Sequence, residues 1–475
     1  IIATLVAGGV GAQVFNRLDS GGYSIASSDS YKVYTYIKDT LKESDPAIVV
    51  MVDAATSVDD PAVAARAVAL EKKMAGEEGV SKTFSYWSSG GAPSLKSSDG
   101  KAAYILVYGD GEAFSPKSQE LGKIFQEKYD GKFENLDIYL TGSGIFAHAI
   151  NGKIKSDLVI AESIAIPLTF ILLLLVFGSM VAAAMPLVVG GAAILGTFLI
   201  LYLLTLVTEV SIFALNLTTG LGLGLGIDYA LLMINRFREE MRKGKDKESA
   251  VIEMMGTAGR TVFFSGLTVV LTLLSLTLFP IGFLKSMGYA GAAVVSVAVA
   301  AALTSLPALL TLLGKNIDKG RIRKSGITPK EQGRWAQLAR FVMRRPISVT
   351  ALSLTALALL IAPISNVTFA QVDSRVLPKN DRAYIADAFV VDNFAGEEGT
   401  PIQILWKDGA SKIQEINTFA SGLAEVNGIA RVDQPQIINQ TVLLTAVHSS
   451  PASSPEAQSL IREIRDLPHP PGMLV

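Results

Sequence analysis

Apolar residues in this chain gather into long blocks separated by mixed polar stretches. Six blocks, Leu158 to Phe177, Val181 to Val207, Ser211 to Ile234, Thr261 to Ile281, Leu284 to Leu313 and Ile347 to Phe369, each supply the roughly 20 residues that a membrane-spanning helix needs. A shorter apolar run opens the chain at Ile1 to Ala7, with neither an initiator Met nor a basic leader, and reads as a first span cut short. Seven spans are therefore expected.

Two stretches, Phe15 to Asp157 and Gln371 to Val475, carry shorter periods and read as mixed α/β. In the first, an amphipathic stretch at Tyr31 to Leu41 leads to a strand-like Ala47 to Val52. A helix from Asp60 to Met74 follows, with Pro61 as its start signal. Strands are expected at Val80 to Tyr86, Ala102 to Tyr108 and Leu136 to Leu140, with a helix near Gln119 to Lys128. The second stretch repeats this order. Asp381-Arg382-Ala383-Tyr384 echoes Asp29-Ser30-Tyr31, Pro401 to Leu405 echoes Pro46 to Val50, and Asn427-Gly428-Ile429-Ala430 echoes Glu78-Gly79-Val80-Ser81. An offset of about 350 residues, each copy following a span, predicts a parallel internal duplication whose second half lacks its last five spans. The natural protein is then expected to run to at least ~700 residues.

Composition agrees with a membrane setting. Half of the 475 residues are hydrophobic, mean hydropathy is +0.40, and 18% are charged, below the roughly 25% of soluble domains. A net charge of -1 gives no global field for nucleic acid. There is no cysteine, and His148, His448 and His469 lie far apart, so neither a disulfide, a metal site nor a cofactor is expected. Lys and Arg collect at Arg236 to Lys247 and at Lys315 to Arg345, the latter with Arg321, Arg323, Lys324, Arg344 and Arg345. These connections should face the cytoplasm, with both α/β stretches on the far side of the cell membrane. Basic clusters of this kind also suit lipid headgroups.

Asp228 is the residue that points to chemistry. It ends the run Leu215 to Tyr229, where nothing nearby in sequence supplies a positive charge, and a carboxylate at such depth costs about 2.5 to 3.5 kcal/mol. Such groups face a partner or a water path and carry protons or ions. On a helix Asp228 shares a face with Gly224 and Gly220, while Tyr229 lies above Gly226 and Gly222, so the glycines are expected to admit close helix packing. No Gly-Lys pair here is followed by Ser or Thr, which excludes a P-loop. Without an ATP site, the energy source is expected to be an ion gradient or a missing partner, and the chain is read as a secondary transporter rather than an enzyme. Glu162 is expected to be an interfacial or helix-start acid, Asn216 a helix-to-helix hydrogen bond, and Val251 to Met255 part of a surface helix at the inner face. Phe84, Tyr86 and Trp87 read as core, and Gly142-Ser143-Gly144 as a strand-to-helix turn.

Gly226-Ile227-Asp228-Tyr229 followed by Arg236-Phe237-Arg238-Glu239-Glu240 is the sharpest signature. With it stand Gly256-Thr257-Ala258-Gly259-Arg260-Thr261 and Ser265, Gly21-Gly22-Tyr23, and Asp373-Ser374-Arg375-Val376-Leu377-Pro378. The whole chain resembles the mycobacterial membrane protein large (MmpL) branch of the resistance-nodulation-division superfamily. That resemblance implies an α-helical polytopic membrane protein with two extracytoplasmic α/β, porter-type domains. Its parts would be a first span at 1–15, a periplasmic domain at 16–157, a five-helix block at 158–314, a cytoplasmic linker at 315–345, a seventh span at 346–369 and an incomplete second domain at 370–475. It implies a proton relay of Asp228, Tyr229 and Ser265, completed by a second Asp-Tyr pair beyond Val475. The implied activity is proton-driven export of a cell-envelope lipid or glycolipid of the mycolic-acid type. A drug, pigment or siderophore pump, or a non-transporting relative, is the alternative. The partners implied are the lipid cargo, protons and membrane lipids, with a monomer and accessory envelope proteins.

Overall fold

The computed structural model describes residues 2–475 except 20, 21, 23, 24, 26, 43, 55, 323–332, 368–373, 395–399 and 451–453. Gly21, Tyr23, Arg323, Lys324 and Asp373, quoted above, lie outside the described residues. Helix α1 (Ile2–Gly11) and α2 (Asp29–Tyr36) precede the first sheet. Then come β1 (Ile48–Asp53), α3 (Pro61–Ala75), β2 (Val80–Ser85), β3 (Ala102–Gly109), α4 (Pro116–Tyr129), β4 (Gly131–Phe133) and β5 (Leu136–Thr141). The sheet order is β2-β3-β1-β5-β4, with every pairing antiparallel.

Strand β1 is apolar at successive positions, so both faces of the sheet need cover. Val50 and Val52 face α3 and α4, in a core with Leu70, Met74, Leu121 and Phe125. Gly142, at φ +107, turns β5 into α5 (Ser143–Phe177); a Cβ there would stand 2.8 Å from the Ala47 carbonyl oxygen. One helix of 35 residues therefore runs through the expected boundary at 157/158.

The membrane block continues with α6 (Met180–Leu204), α7 (Phe213–Arg242), α8 (Lys247–Met254), α9 (Arg260–Leu274), α10 (Gly282–Leu303) and α11 (Ser305–Leu313). After it come α12 (Arg334–Arg344) and α13 (Pro346–Ile361). Among the described residues six helices are long and apolar enough to cross a membrane, α8 counting together with α9 and α10 with α11, and Val6–Phe15 is a shorter apolar helix. The stretch around Val251 to Met255 is thus not a separate surface helix. A π-helical turn at Met255–Gly259 joins it to the span, and Ala250 and Met254 are buried in the block's core.

The second sheet follows α14 (Arg382–Asn393): β6 (Ile402–Trp406), α15 (Ile413–Ala424), β7 (Ile429–Val432), β8 (Gln436–Ile438), β9 (Thr441–His448), α16 (Pro455–Asp466) and β10 (Met473–Leu474). Its order is β10-β6-β9-β7, with β8 also on β9. Matching β7 to β2, β9 to β3, β6 to β1 and β10 to β5 gives the same neighbours in both sheets.

Each sheet is covered on its second face by the other's leading helix. Val33 of α2, with Ile37 and Leu41 just beyond it, packs on Leu405, and the Tyr36 hydroxyl lies 3.0 Å from Thr441 Oγ1. Reciprocally, Ala386, Val390 and Phe394 pack against Met51 and Tyr104, with the Tyr104 and Phe394 rings stacked at 4.0 Å. The Arg382 guanidinium donates twice to the Asp130 carboxylate, at 2.8 and 2.9 Å. The sequence reading placed each of these helices with the sheet that follows it. Periodicity reveals that a helix has an apolar face, not which sheet will bury it.

Candidate functional site

Helix α7 is the centre of the block, packed against α6 and α10. Its buried face carries Thr218, Gly222, Gly226, Tyr229 and Met233. The approach to α6 is set by two glycines: a Cβ on Gly226 would lie 2.6 Å from Gly190 Cα, and one on Gly222 would lie 2.9 Å from Ile194 and Val294. The opposite stripe is different. Asn216, Gly220, Gly224 and Asp228 are exposed, and a Cβ on Gly220 or Gly224 would meet nothing within 4 Å. The four glycines thus divide into a pair in contact and a pair on an open face.

Asp228 and Tyr229 consequently point in different directions. Asp228 stands on the open stripe, while Tyr229 is 5% exposed, with its hydroxyl buried and without a hydrogen-bond partner among the described residues. That hydroxyl would lie 3.5 Å from a Cβ on Gly266, the neighbour of Ser265 on α9; Ser265 itself is exposed. Thr218 Oγ1 and Glu162 Oε1 are also buried without a partner. Glu162 is not at a helix start: α5 begins at Ser143, and Glu162 sits in its interior beside Thr219. Asn216 lies on the open stripe. Tyr86 donates to Asp59 at 2.5 Å and Trp87 to the Val58 carbonyl at 3.0 Å, which ties both to the first sheet's own frame. Among the described residues no group of three metal-ligating side chains exists.

Sequence reasoning quoted Arg236 to Glu240 without assigning it work. In the structure the Glu240 carboxylate, almost fully buried, is held by Arg236 at 3.0 Å, Lys243 at 2.8 Å and Lys245 at 2.7 Å. The hydrogen bond to Glu240 pushes the Lys245 ammonium above the usual lysine range. Arg238 donates to the Phe177 carbonyl at 3.0 Å and pairs with Asp318. Ser179 donates to the Ile317 carbonyl at 2.7 Å, so this end of α7, the α5–α6 turn and the segment after α11 form one charged plate. An Arg-x-Arg-Glu-Glu run at a span's end was the available signal.

These features describe a multi-pass membrane protein. The sequence profile of the MMPL family matches residues 23–349. A membrane protein of Streptomyces coelicolor is 35% identical over 473 residues, covering 97% of this chain and 63% of that protein. The trehalose monomycolate exporter MmpL3 of Mycolicibacterium smegmatis is 34% identical over 298 residues, 57% of this chain and 29% of its own length. MmpL11 of the same organism, an exporter of mycolic acid-containing lipids, is 34% identical over 251 residues, 52% of this chain and 26% of its own. The chain belongs to the MMPL family, the mycobacterial membrane protein large branch of the resistance-nodulation-division superfamily. It spans less than two thirds of the length of each of these relatives.

Proposed function

We propose that this chain forms part of a proton-driven exporter of a cell-envelope lipid or glycolipid, with Asp228 as the carboxyl that binds and releases the proton. The observation that carries this reading is the placement of Asp228 within a membrane span, on a face the neighbouring helices leave open. A carboxylate held there in lipid is costly, so it needs a partner or a water path. The open stripe of Asn216, Gly220, Gly224 and Asp228 has the small-residue spacing that seats a second helix. A second set of spans, bearing its own Asp-Tyr pair, would cover it.

Protonation removes the charge that such a contact must accommodate, and so changes how tightly two halves pack. Moving one charge through the membrane field supplies ~2.3 kcal/mol per 100 mV. Tyr229, the next residue on α7, turns its buried hydroxyl toward α9 near Ser265, so a proton passing from Asp228 along this path would have to leave the open stripe first. The matching strand orders of the two sheets support an origin by duplication. The reciprocal packing of α2 and α14 would make the two α/β units move together as porter-type domains on the periplasmic side. The lipid exporters among the mycobacterial relatives support a lipid cargo.

The test is envelope lipid profiling in cells depleted of the protein and complemented with wild type or Asp228→Asn. The reading expects an unexported lipid to accumulate inside on depletion and with Asp228→Asn, at normal membrane levels of the variant. Normal export by that variant removes the proton role. An unchanged lipid profile with raised drug sensitivity moves the cargo to a drug.

A further inference from the structure

Glu162 is an acid to which the relay of Asp228, Tyr229 and Ser265 gives no work. It lies on α5 four residues into the apolar run that starts at Leu158, about 6 Å below that end. The Phe177 carbonyl that Arg238 holds at the charged plate is fifteen residues further on, about 22 Å away along the helix. Glu162 therefore stands inside the membrane segment, in the half nearer the α/β units. Its flanking residues Ala161 and Ser163 are exposed, while Glu162 is partly buried and turned toward Thr219 of α7. Its Oε1 is buried without a hydrogen-bond partner among the described residues.

Among the described residues nothing charged faces this carboxyl from the helices around it. Helices α1 and α6 carry no ionisable side chain except Tyr202, and α7 carries none from Phe213 to Ile227. On α5 itself Lys155 and Asp157 stand nearer the outer end, and α4 meets α5 further out still, at Gly144 and Asn151. A carboxylate at this place has neither a cation nor a full set of donors, so it is costly unless it takes up a proton or water. Thr219 suits both states. Its hydroxyl now donates to the Asn216 carbonyl at 3.3 Å; turned toward Glu162 it answers the ionised form, and its lone pair answers the protonated one. Asp228 follows Thr219 by nine residues, about 14 Å along α7 toward the plate. Between them lie Gly220 and Gly224 of the open stripe, where no side chain stands in the way of water.

We propose that Glu162 is a second proton-binding carboxyl, loaded from the water on the side of the α/β units and unloaded onto water in the open stripe that leads to Asp228. On loading, the carboxylate takes a proton from hydronium and leaves water; on release, the carboxyl gives that proton to water in the stripe. Thr219 holds the side chain in place through both steps. This rests on the reading of Asp228 as the proton carrier of transport, and adds where the proton is first held.

Two measurements on the complete transporter in liposomes test this. Dicyclohexylcarbodiimide adds to protonated carboxyls in apolar surroundings and leaves an N-acylurea that mass spectrometry locates. In the wild type Glu162 should be labelled while the exposed Asp157 is spared, and the label at Glu162 should fall as pH rises. The second measurement follows proton flux with trehalose monomycolate, the cargo of the MmpL3 relative, in the membrane, while pH is stepped on the side of the α/β units. Glu162→Gln keeps a group that bonds Thr219, so it should hold the thermal midpoint yet lose most of the flux and its dependence on that pH. Glu162→Asp should recover part of both. A Glu162 that stays unlabelled at every pH, or wild-type flux and pH dependence in Glu162→Gln, would overturn the proposal. The labelling needs neither a variant nor a known cargo, so it decides where the variant does not fold or the wild type does not move this lipid. Normal flux in Asp228→Asn removes the relay reading itself, whereas wild-type behaviour of Glu162→Gln beside an inactive Asp228→Asn removes only the role of Glu162.

Discussion

The contact between α6 and α7 rests on Gly226, and alanine at that position should break it. The methyl group would be built 2.6 Å from Gly190 Cα and 2.9 Å from Gly190 N. Both are backbone atoms of a packed helix, so no side-chain rotation relieves the overlap and the helices must separate. Overpacking of this kind costs about 3 kcal/mol at its upper range. Replacing a helical glycine by alanine returns about 1 kcal/mol of propensity. The expected net loss is therefore about 2 kcal/mol. Gly224, two residues away, is the internal control: its Cβ would meet nothing within 4 Å, so Gly224→Ala should hold or raise stability by up to about 1 kcal/mol. Thermal unfolding of the 475-residue chain in detergent, followed by intrinsic tryptophan fluorescence, measures both. Equal midpoints for wild type and Gly226→Ala, or a larger loss from Gly224→Ala, would refute the assignment of the two glycine stripes.

Three further outcomes follow from the structure. Arg238→Ala removes the donor to the Phe177 carbonyl and the partner of Asp318, and should cost about 1 to 3 kcal/mol, read as a lowered midpoint in the same assay. Glu77 is bonded by Lys128 and by the Tyr129 hydroxyl, which hold its carboxyl below its usual 4.5. A depressed acid stabilises the fold above its unfolded value and loses that contribution as pH falls through the folded value. Wild type should thus lose stability below about pH 4.5 relative to Glu77→Gln, which should show a flatter profile in thermal scans at stepped pH. Arg382→Ala severs the pair that docks α14 on the first sheet; because Arg382 is partly exposed the loss should be modest, about 0.5 to 1 kcal/mol, with faster hydrogen exchange confined to α14 and its contacts.

The elements of this fold were largely legible because burial in lipid and in a sheet leave different periods. The strand at Ala47 to Val52 and the helix opening at Pro61 fall within a residue of β1 and α3, since a continuous apolar run and a proline start are local signals. The short β4 was not legible: Gly131–Phe133 has no alternation to read and exists because β5 offers it a free edge. Nor was the exchange of α2 and α14, which depends on contacts between residues 252 to 405 positions apart. At the site, the composition of α7 pointed to Asp228 and the glycines together. Which glycine meets a neighbour depends on where α6 crosses, and only Gly190 in the folded protein decides that Gly226 is covered and Gly224 open. The charged plate escaped for a related reason, because Arg238 finds Asp318 eighty residues away.

The central claim is that Asp228 carries a proton, and proton movement itself tests it most directly. With a pH-sensitive dye trapped inside proteoliposomes that hold the complete transporter and its lipid cargo, an imposed pH gradient should drive a cargo-dependent proton flux. The account predicts that Asp228→Asn lowers this flux to the protein-free leak while Asp228→Glu retains part of it. A wild-type rate in Asp228→Asn would contradict it.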